Sequence, residues 1–567
     1  MADPATQDQT RRREWMQALR TETEARHCAW KQALEPEDGC SFTVYTENPY
    51  SNPDNPEAYL AEIKVSRPSW AKDNRCVRVR RLSPGNRKQL VFGDDEMYVA
   101  NYQDRKPYNY ERPYHYPADP DGLLERPPST HRISRTSLSK WRQDGCFHCL
   151  EREALLTKSR NPLLAARGHP IQAPDFGVAM VYATARRALD IWKVYLNWDV
   201  GFEQAVEKPF PWHFRDHFPR LEIVPAIDDG QPLPEEIASS GFGFVQLGCG
   251  QRDNDNHHAA PLANADGSRP PAPGPPQARL ESWAIPYWIN PDVLVHELGH
   301  QILYATLGFG PGVGPTVSGP VWVDLWGGRN GDDFRAFHEA FSDIVAVIVS
   351  MHHRPFLKAI LAATKGDLFS ENAATEVGEI SARKTIRSTL NNVRLAEAER
   401  IGAADANAPS ENRYYTLSQV VSGALFDVLA GFSVHYLAEY QHLPADLVRE
   451  WEQAFDPKRP DGGAGVPEAQ LSDEVQAIYA LEDGPDIVES AVTRARDALG
   501  CLLGSYLAEH SKAGFDPATF RFASLKRDLI AVASRQDSAP SDALARPTLT
   551  GATKARVVEQ CFTWRGI

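Results

Sequence analysis

The chain predicts an α+β protein. Short alternating runs in its first half read as strands, and from residue 281 onward the apolar pattern is mostly helical. Its 567 residues are 42% hydrophobic and 10% aromatic, enough material for more than one packed core. Charged residues at 24% and the absence of an internal repeat exclude a wholly disordered chain, a fibre and a coiled-coil rod.

From the N-terminus, residues 8–34 predict a helix. Trp15 and Leu19 share a face, as do Trp30 and Leu34, and the run Glu35 to Gly39 stops it. This reads as a packing helix. Residues 41–145 are rich in Pro, Tyr and Arg, with strands predicted at Phe42–Tyr45 and Cys76–Arg80. Tyrosines from Tyr98 to Tyr116 alternate with prolines there. Beside arginines they could stack bases. Without an RNA-binding signature they read as an extended segment laid over a neighbouring domain. Cys146 and Cys149 form a lone CxxC pair, and a structural zinc site needs four ligands, so they read as two thiols.

Further on, Val178 to Leu196 has helical spacing, with Val181, Ala185, Leu189, Trp192 and Leu196 on one face. Leu221–Pro225 and Gly243–Gly248 read as strands, and the Pro-rich stretch 251–279 as a surface loop. Polar loops are expected near 308–333, 364–376, 403–413 and 456–470.

The net charge of −14 argues against a general nucleic-acid binder. Charge is uneven: +1 over residues 1–150 and −15 over 151–567, which suggests a separate N-terminal region. No apolar stretch follows the basic cluster at Arg11–Arg13, so no signal peptide is read. The longest apolar run, Ile344 to Met351, is shorter than the roughly 18 residues a membrane span needs. Eight cysteines are too few for a disulfide scaffold. The expectation is a soluble, cytoplasmic protein with free thiols and no membrane partner, export by another route being left open.

The chemistry concentrates in His296-Glu297-Leu298-Gly299-His300, an HExxH motif within an apolar helix. His296 and His300 are one turn apart on one face, so both imidazoles can reach one ion at about 2.0–2.1 Å. Glu297 is rotated by roughly 100° and can take a proton without ligating. A third ligand should lie downstream. The HExxHxxGxxH arrangement is excluded, because positions 303 and 306 are Leu and Thr. Glu339 and Asp343 are i and i+4 on an otherwise apolar helix, and two carboxylates there need a cation or donors. Glu339 as ligand and Asp343 as acceptor from a ligand His N–H satisfy both.

These residues, Asp292-Val293 leading into the HExxH and then Glu339-Ala340-Phe341-Ser342-Asp343, resemble the thermolysin-like zinc metallopeptidases over roughly residues 175–435. The resemblance implies that His296, His300 and Glu339 hold one catalytic Zn²⁺, that Glu297 is the general base, and that Asp343 orients His296. It also implies that Gly243–Gly248 is the substrate-binding edge strand. The implied fold is two-lobed: a small mixed sheet and the HExxH helix in the first lobe, and a mainly helical C-terminal lobe. The expected divisions are 1–150, an N-terminal helix plus the Pro/Tyr/Arg-rich region; 151–350, the catalytic lobe; and 351–567, the helical lobe.

Two features depart from that family. The gap from His300 to Glu339 is 39 residues, filled by a Gly- and Trp-containing loop. The family's oxyanion-stabilising His is absent from the helix beginning near Asn412, where Tyr415 or Tyr414 falls at the matching position, with His435 the next later histidine. The expected function is a zinc peptidase acting on a peptide or protein substrate. The alternatives are a non-catalytic zinc protein that keeps the scaffold for binding, and an effector-type protease with a single intracellular target.

Overall fold

A computed structural model of the chain describes residues 4–46, 60–66, 80–81, 88–89, 91–94, 96–100, 174–212, 220–224, 238–241, 243–247, 249–252, 283–286, 290–307, 329–377, 387–404, 410–440, 442–454, 466–513, 515, 517–536 and 549–567. The described residues are mostly helical, with small sheets. The strand expected at Cys76–Arg80, the tyrosines from Tyr102 to Tyr116 and the CxxC pair lie wholly or almost wholly outside them.

The chain opens with α1 (Pro4–Leu34), followed by the hairpin β1 (Cys40–Tyr45) and β2 (Leu60–Val65) and the two-residue strands β3 (Arg80–Arg81) and β4 (Lys88–Gln89). A five-stranded sheet follows, built from β5 (Val91–Gly93), β6 (Met97–Ala100), β7 (Leu221–Val224), β8 (Ala238–Gly241) and β9 (Phe244–Leu247). Its order is β5-β6-β7-β9-β8, with β6, β7 and β9 parallel and the two outer strands antiparallel. The Gly243–Gly248 segment is therefore not an edge, contrary to expectation. Gly243, at a φ of 80°, turns the chain so that β8 folds back along β9 and takes the terminal position. A local apolar run carries no information about which strand pairs on its far side.

The boundary expected at residue 150 does not divide the sheet, because β6 pairs with β7 across it, Met97 opposite Leu221. Nor does α1 stand apart. Its Met16, Leu19, Trp30 and Leu34 are buried in the same core as the C-terminal helices.

Helix α2 (Pro174–Leu196) packs against β1, β2 and β6 on one side and the HExxH helix on another. It is buried all round from Met180 to Tyr195, not along one stripe. Arg186, Arg187, Asp190 and Lys193 are buried with it. They are tolerated because they are paired. Arg186 reaches Glu96 at 2.7 Å and Asp190 at 2.7 Å, and Lys193 reaches Glu96 at 2.7 Å. The Tyr182 hydroxyl donates to Asp94 at 3.0 Å. Asp94 and Glu96 sit in the β5–β6 turn, so this network fastens the sheet to α2.

The short α3 (Phe202–Glu207) and the hairpin β10 (Cys249–Arg252) with β11 (Trp283–Pro286) precede the remaining helices. These are α4 (Pro291–Leu307), α5 (Arg329–Met351), α6 (Arg354–Thr364), α7 (Leu395–Ala404), α8 (Ser410–Glu439), α9 (Ala445–Ala454), α10 (Val466–Tyr479), α11 (Gly484–Ala513), α12 (Phe522–Arg535) and α13 (Gly551–Trp564). Helix α5 begins at Arg329, four residues inside the loop expected to run to Asp333. Helix α8 is the hub, packing on α5, α11, α7 and α13. Its Arg413–Glu439 span is long and apolar enough to cross a membrane, and 89% of its apolar window is buried inside the protein. Interspersed Ser and Gly hide this helix from a search for unbroken apolar runs. Near the C-terminus, Arg565 is buried and pairs with Asp427 at 2.8 Å. It fits because Gly423 has no side chain: a Cβ there would come within 2.7 Å of the guanidinium.

Burial alone would raise the Glu96 carboxyl. The charges of Arg186 and Lys193 and the Phe210 N–H outweigh burial and pull it down to about 2. Folded Glu96 thus binds a proton less readily than the unfolded chain. Its contribution is complete above the ordinary glutamate value of about 4.3 and is lost as pH falls toward 2. Glu96→Gln should cost about 1–3 kcal/mol at pH 7, by removing the carboxylate that Arg186 and Lys193 share while Asp190 stays within reach of both. In urea unfolding at pH 7, 4 and 3, the gap between wild type and variant should narrow as pH falls.

Candidate metal centre

Helix α4 starts where the Asn290 side-chain oxygen accepts the Asp292 N–H at 2.9 Å, with Pro291 at the first helical position. Every residue from Pro291 to Leu307 is buried. Its polar side chains must therefore find partners inside the protein. Gln301 donates to the Phe244 carbonyl at 3.2 Å, tying the helix to β9, and Thr306 donates to the Ile302 carbonyl at 2.7 Å. Ser350 donates to Asp292 at 3.3 Å. That leaves His296, His300 and Tyr304, which meet α5, and Glu297 beside the two histidines.

Helices α4 and α5 run antiparallel: Asp292 lies by Ser350, His296 by Asp343, Gly299 by Ser342 and His300 by Glu339. The approach is close at Gly299. A Cβ on that residue would sit 2.6 Å from the Ser342 Cα, so only glycine permits the crossing.

The crossing fixes both imidazoles. His296 Nδ1 is 2.9 Å from the Asp343 carboxylate, which as an ion only accepts. His300 Nδ1 is 2.9 Å from Ser342 Oγ, whose own hydrogen goes to the His338 carbonyl at 2.9 Å. Each ring therefore donates from Nδ1 and keeps a lone pair on Nε2. Those Nε2 atoms lie 3.4 and 3.6 Å from the two oxygens of Glu339. Ligands about 2.0–2.1 Å from a tetrahedral zinc are themselves roughly 3.3–3.4 Å apart, so the donor set fits that ion. Glu297, 6% exposed, completes a His296–Glu297–His300 group whose ligand atoms all lie within 4.8 Å of one another.

The structure thus brings together His296, Glu297, His300, Glu339 and Asp343. It adds Ser342 and His338. The His338 ring lies flat on His300 at 4.3 Å and touches Tyr304 at 4.6 Å. Burial lowers its pKa to about 4, keeping it neutral at physiological pH. The signal for Ser342 was its i+4 spacing from His338, which lets a serine hydroxyl bond back to a helix carbonyl.

The tyrosines are less closely tied to the site. Tyr414 lies against the Arg335 guanidinium, 5.6 Å from the ring centre, and Arg335 is one turn before Glu339 on α5. Tyr415 meets Tyr414 at a tilt, the ring centres 4.4 Å apart, and is 39% exposed. His435 is roughly 30 Å further along α8 and pairs with Glu452 at 3.0 Å, which removes it as an oxyanion donor. No family model matches the chain, and no curated protein or solved structure matches it either.

Two outcomes follow from this geometry. Asp343→Ala should weaken zinc affinity by about 10–100-fold in a competition titration, with helix content unchanged by circular dichroism. Gly299→Ala should cost about 1–3 kcal/mol in urea unfolding, because α4 and α5 must separate, and should weaken zinc binding as well.

Proposed function

We propose that the chain is a zinc-dependent peptidase with Glu297 as general base, built on a thermolysin-like two-lobed plan and working in the cytoplasm. The observation that carries this reading is the convergence of the two Nε2 lone pairs on the Glu339 carboxylate, with a further carboxylate, Glu297, beside them and not needed as a ligand. His296, His300 and Glu339 would hold the zinc, which when bound lowers the pKa of water to about 7 and polarises a carbonyl. Glu297 takes a proton from the attacking water and delivers it to the departing amine nitrogen. Asp343 and Ser342 keep the two imidazoles turned inward while this happens.

The substrate backbone has a natural place to lie. Strand β8 is the terminal strand of the sheet and packs on α4, so an extended peptide could add along it. We assign the donor to the developing oxyanion to Tyr414 in preference to Tyr415, because Tyr414 is the one packed toward α5.

The reading separates from a binding-only zinc scaffold by one substitution. Glu297→Gln keeps size and hydrogen bonding but removes the basic oxygen. Wild type should hold about one zinc per chain and cleave members of a broad peptide library. Glu297→Gln should keep the zinc and the melting temperature and lose at least about 10²-fold in rate. Glu339→Ala should lose the metal. A zinc-loaded wild type that cleaves nothing, and binds the same peptides as Glu297→Gln, would overturn the peptidase assignment in favour of binding.

A further inference from the structure

Helix α1 is held to the molecule largely by charge. Its buried stripe, Met16, Leu19, Trp30 and Leu34, is interrupted halfway by Thr23 and Arg26, which are buried too. Ion pairs flank that stripe. Arg20 reaches Asp483 at 2.6 Å and Asp486 at 2.7 Å, Glu24 reaches Arg354 at 2.6 Å, Arg26 reaches Asp497 at 3.0 Å, His27 reaches Glu489 at 3.2 Å, and Glu22 pairs with Arg494. These partners belong to α6, to α11 and to the residue just before α11. The exposed pairs, at Arg20 and Glu24, contribute little. A polar helix docked in this way is drawn from the low-stability end of a fold.

One histidine sits where other elements meet α1. His352 lies in the turn between α5 and α6. Its ring meets Trp30 edge-on, 4.3 Å between centres, and its Nε2 lies 2.8 Å from the Tyr195 hydroxyl. Tyr195 has one hydrogen, which goes to Asp497 at 3.2 Å, since an ionised carboxylate only accepts. Nε2 of neutral His352 therefore donates to the Tyr195 oxygen, and a further proton goes to Nδ1. The same Asp497 takes the Trp30 indole N–H at 3.2 Å and the Arg26 guanidinium, both from α1. One hydrogen-bonded unit thus joins α1 to α2, α11 and the end of α5.

An imidazolium at His352 would stand among like charges. His27 faces it from α1, Tyr195 and Arg187 from α2, Arg496 from α11 and His353 from its own turn. Burial first, and then Arg496, His353, Arg187 and His27, hold its pKa well below the ordinary histidine value. Asp497 lies behind the Tyr195 hydroxyl and already carries Arg26 and Arg496. Glu489 holds His27 and Arg354, which help pull it down to about 2. Both carboxylates therefore stay ionised in mild acid, where a solvated histidine takes up its proton.

We propose that α1 is a pH-operated latch: protonation of His352 at its junction with Trp30, Tyr195 and Asp497 releases α1 from α2 and α11 while the rest of the fold stays closed. The docked state binds this proton less readily than the released one. Docking is thus complete above the ordinary histidine value of about 6.5 and weakens below it, by about tenfold in the opening constant per pH unit. The proposal is independent of the peptidase reading, because none of these groups belongs to the metal centre.

The test is amide hydrogen exchange on the full chain at pH 7.5, 6.5 and 5.5, with rates corrected for the intrinsic pH dependence of exchange. The opening constant for peptides of α1 should rise about 10-fold between pH 6.5 and 5.5, while peptides of α4, α5 and α8 change by less than about 3-fold. Protection of α1 should return when pH 7.5 is restored. His352→Gln can still donate to Tyr195 but takes up no proton, and should cut the α1 response to under about 3-fold. The wild-type profile decides the matter if that variant does not fold. The assignment is overturned if α1 protection is unchanged down to pH 5.5, if α4, α5 and α8 open in step with α1, or if His352→Gln keeps the full response.

Discussion

The crossing of α4 and α5 at Gly299 and Ser342 is the constraint on which the site depends. Two antiparallel helices ordinarily stand 8–10 Å apart. With no side chain at Gly299, the α5 backbone can come in until a Cβ there would overlap Ser342. That approach is what allows Ser342 to reach His300 and Asp343 to reach His296, both at 2.9 Å. A wider crossing would leave Nδ1 of both rings without its acceptor, and the Nε2 lone pairs would have no fixed direction. The surrounding protein reinforces the crossing from three sides, with α2 against α4, α8 against α5, and β9 held to Gln301.

Much of this site is legible from spacing alone. His296 and His300, and likewise Glu339 and Asp343, are one turn apart in segments that are otherwise apolar, and helical geometry then dictates which side chains share a face. What spacing cannot carry is pairing between distant segments. The position of β9 inside the sheet depends on β8 folding back over it, and β8, Ala238-Ser239-Ser240-Gly241, has almost no strand signal of its own. The same holds for α2. Nothing local to it marks Arg186 and Lys193 as buried, because their shared partner Glu96 lies some ninety residues earlier. The union of the first hundred residues with the rest of the fold was hidden for the same reason. A net charge contrast between segments describes composition, and composition does not say which strands share hydrogen bonds.

Ionic pairing inside the core recurs through the structure. Glu96, Asp497 and Asp427 each anchor one or more buried arginines or lysines contributed by a different element. Such pairs add little net stability over apolar packing, but breaking one is costly and mispairing costs more. They work as register marks. The sheet locks to α2 through Glu96, α1 to α11 through Asp497, and the C-terminal Arg565 to α8 through Asp427. An α+β chain with many similar apolar helices has a large set of near-equivalent packings, and these pairs discriminate among them.

The ligand set also has a topological meaning. His300 and Glu339 are 39 residues apart, on two helices joined by the long Gly-containing segment 308–328. An ion gripped by both helices is a reversible cross-link that closes this loop. It removes from the unfolded ensemble the same kind of chain entropy that a disulfide of that span would remove, an effect that grows only with the logarithm of loop length. A zinc held by His296, His300 and Glu339, as proposed, would cross-link α4 and α5 without a covalent bond, and the strength of that link would be set by the concentration of free ion outside the protein.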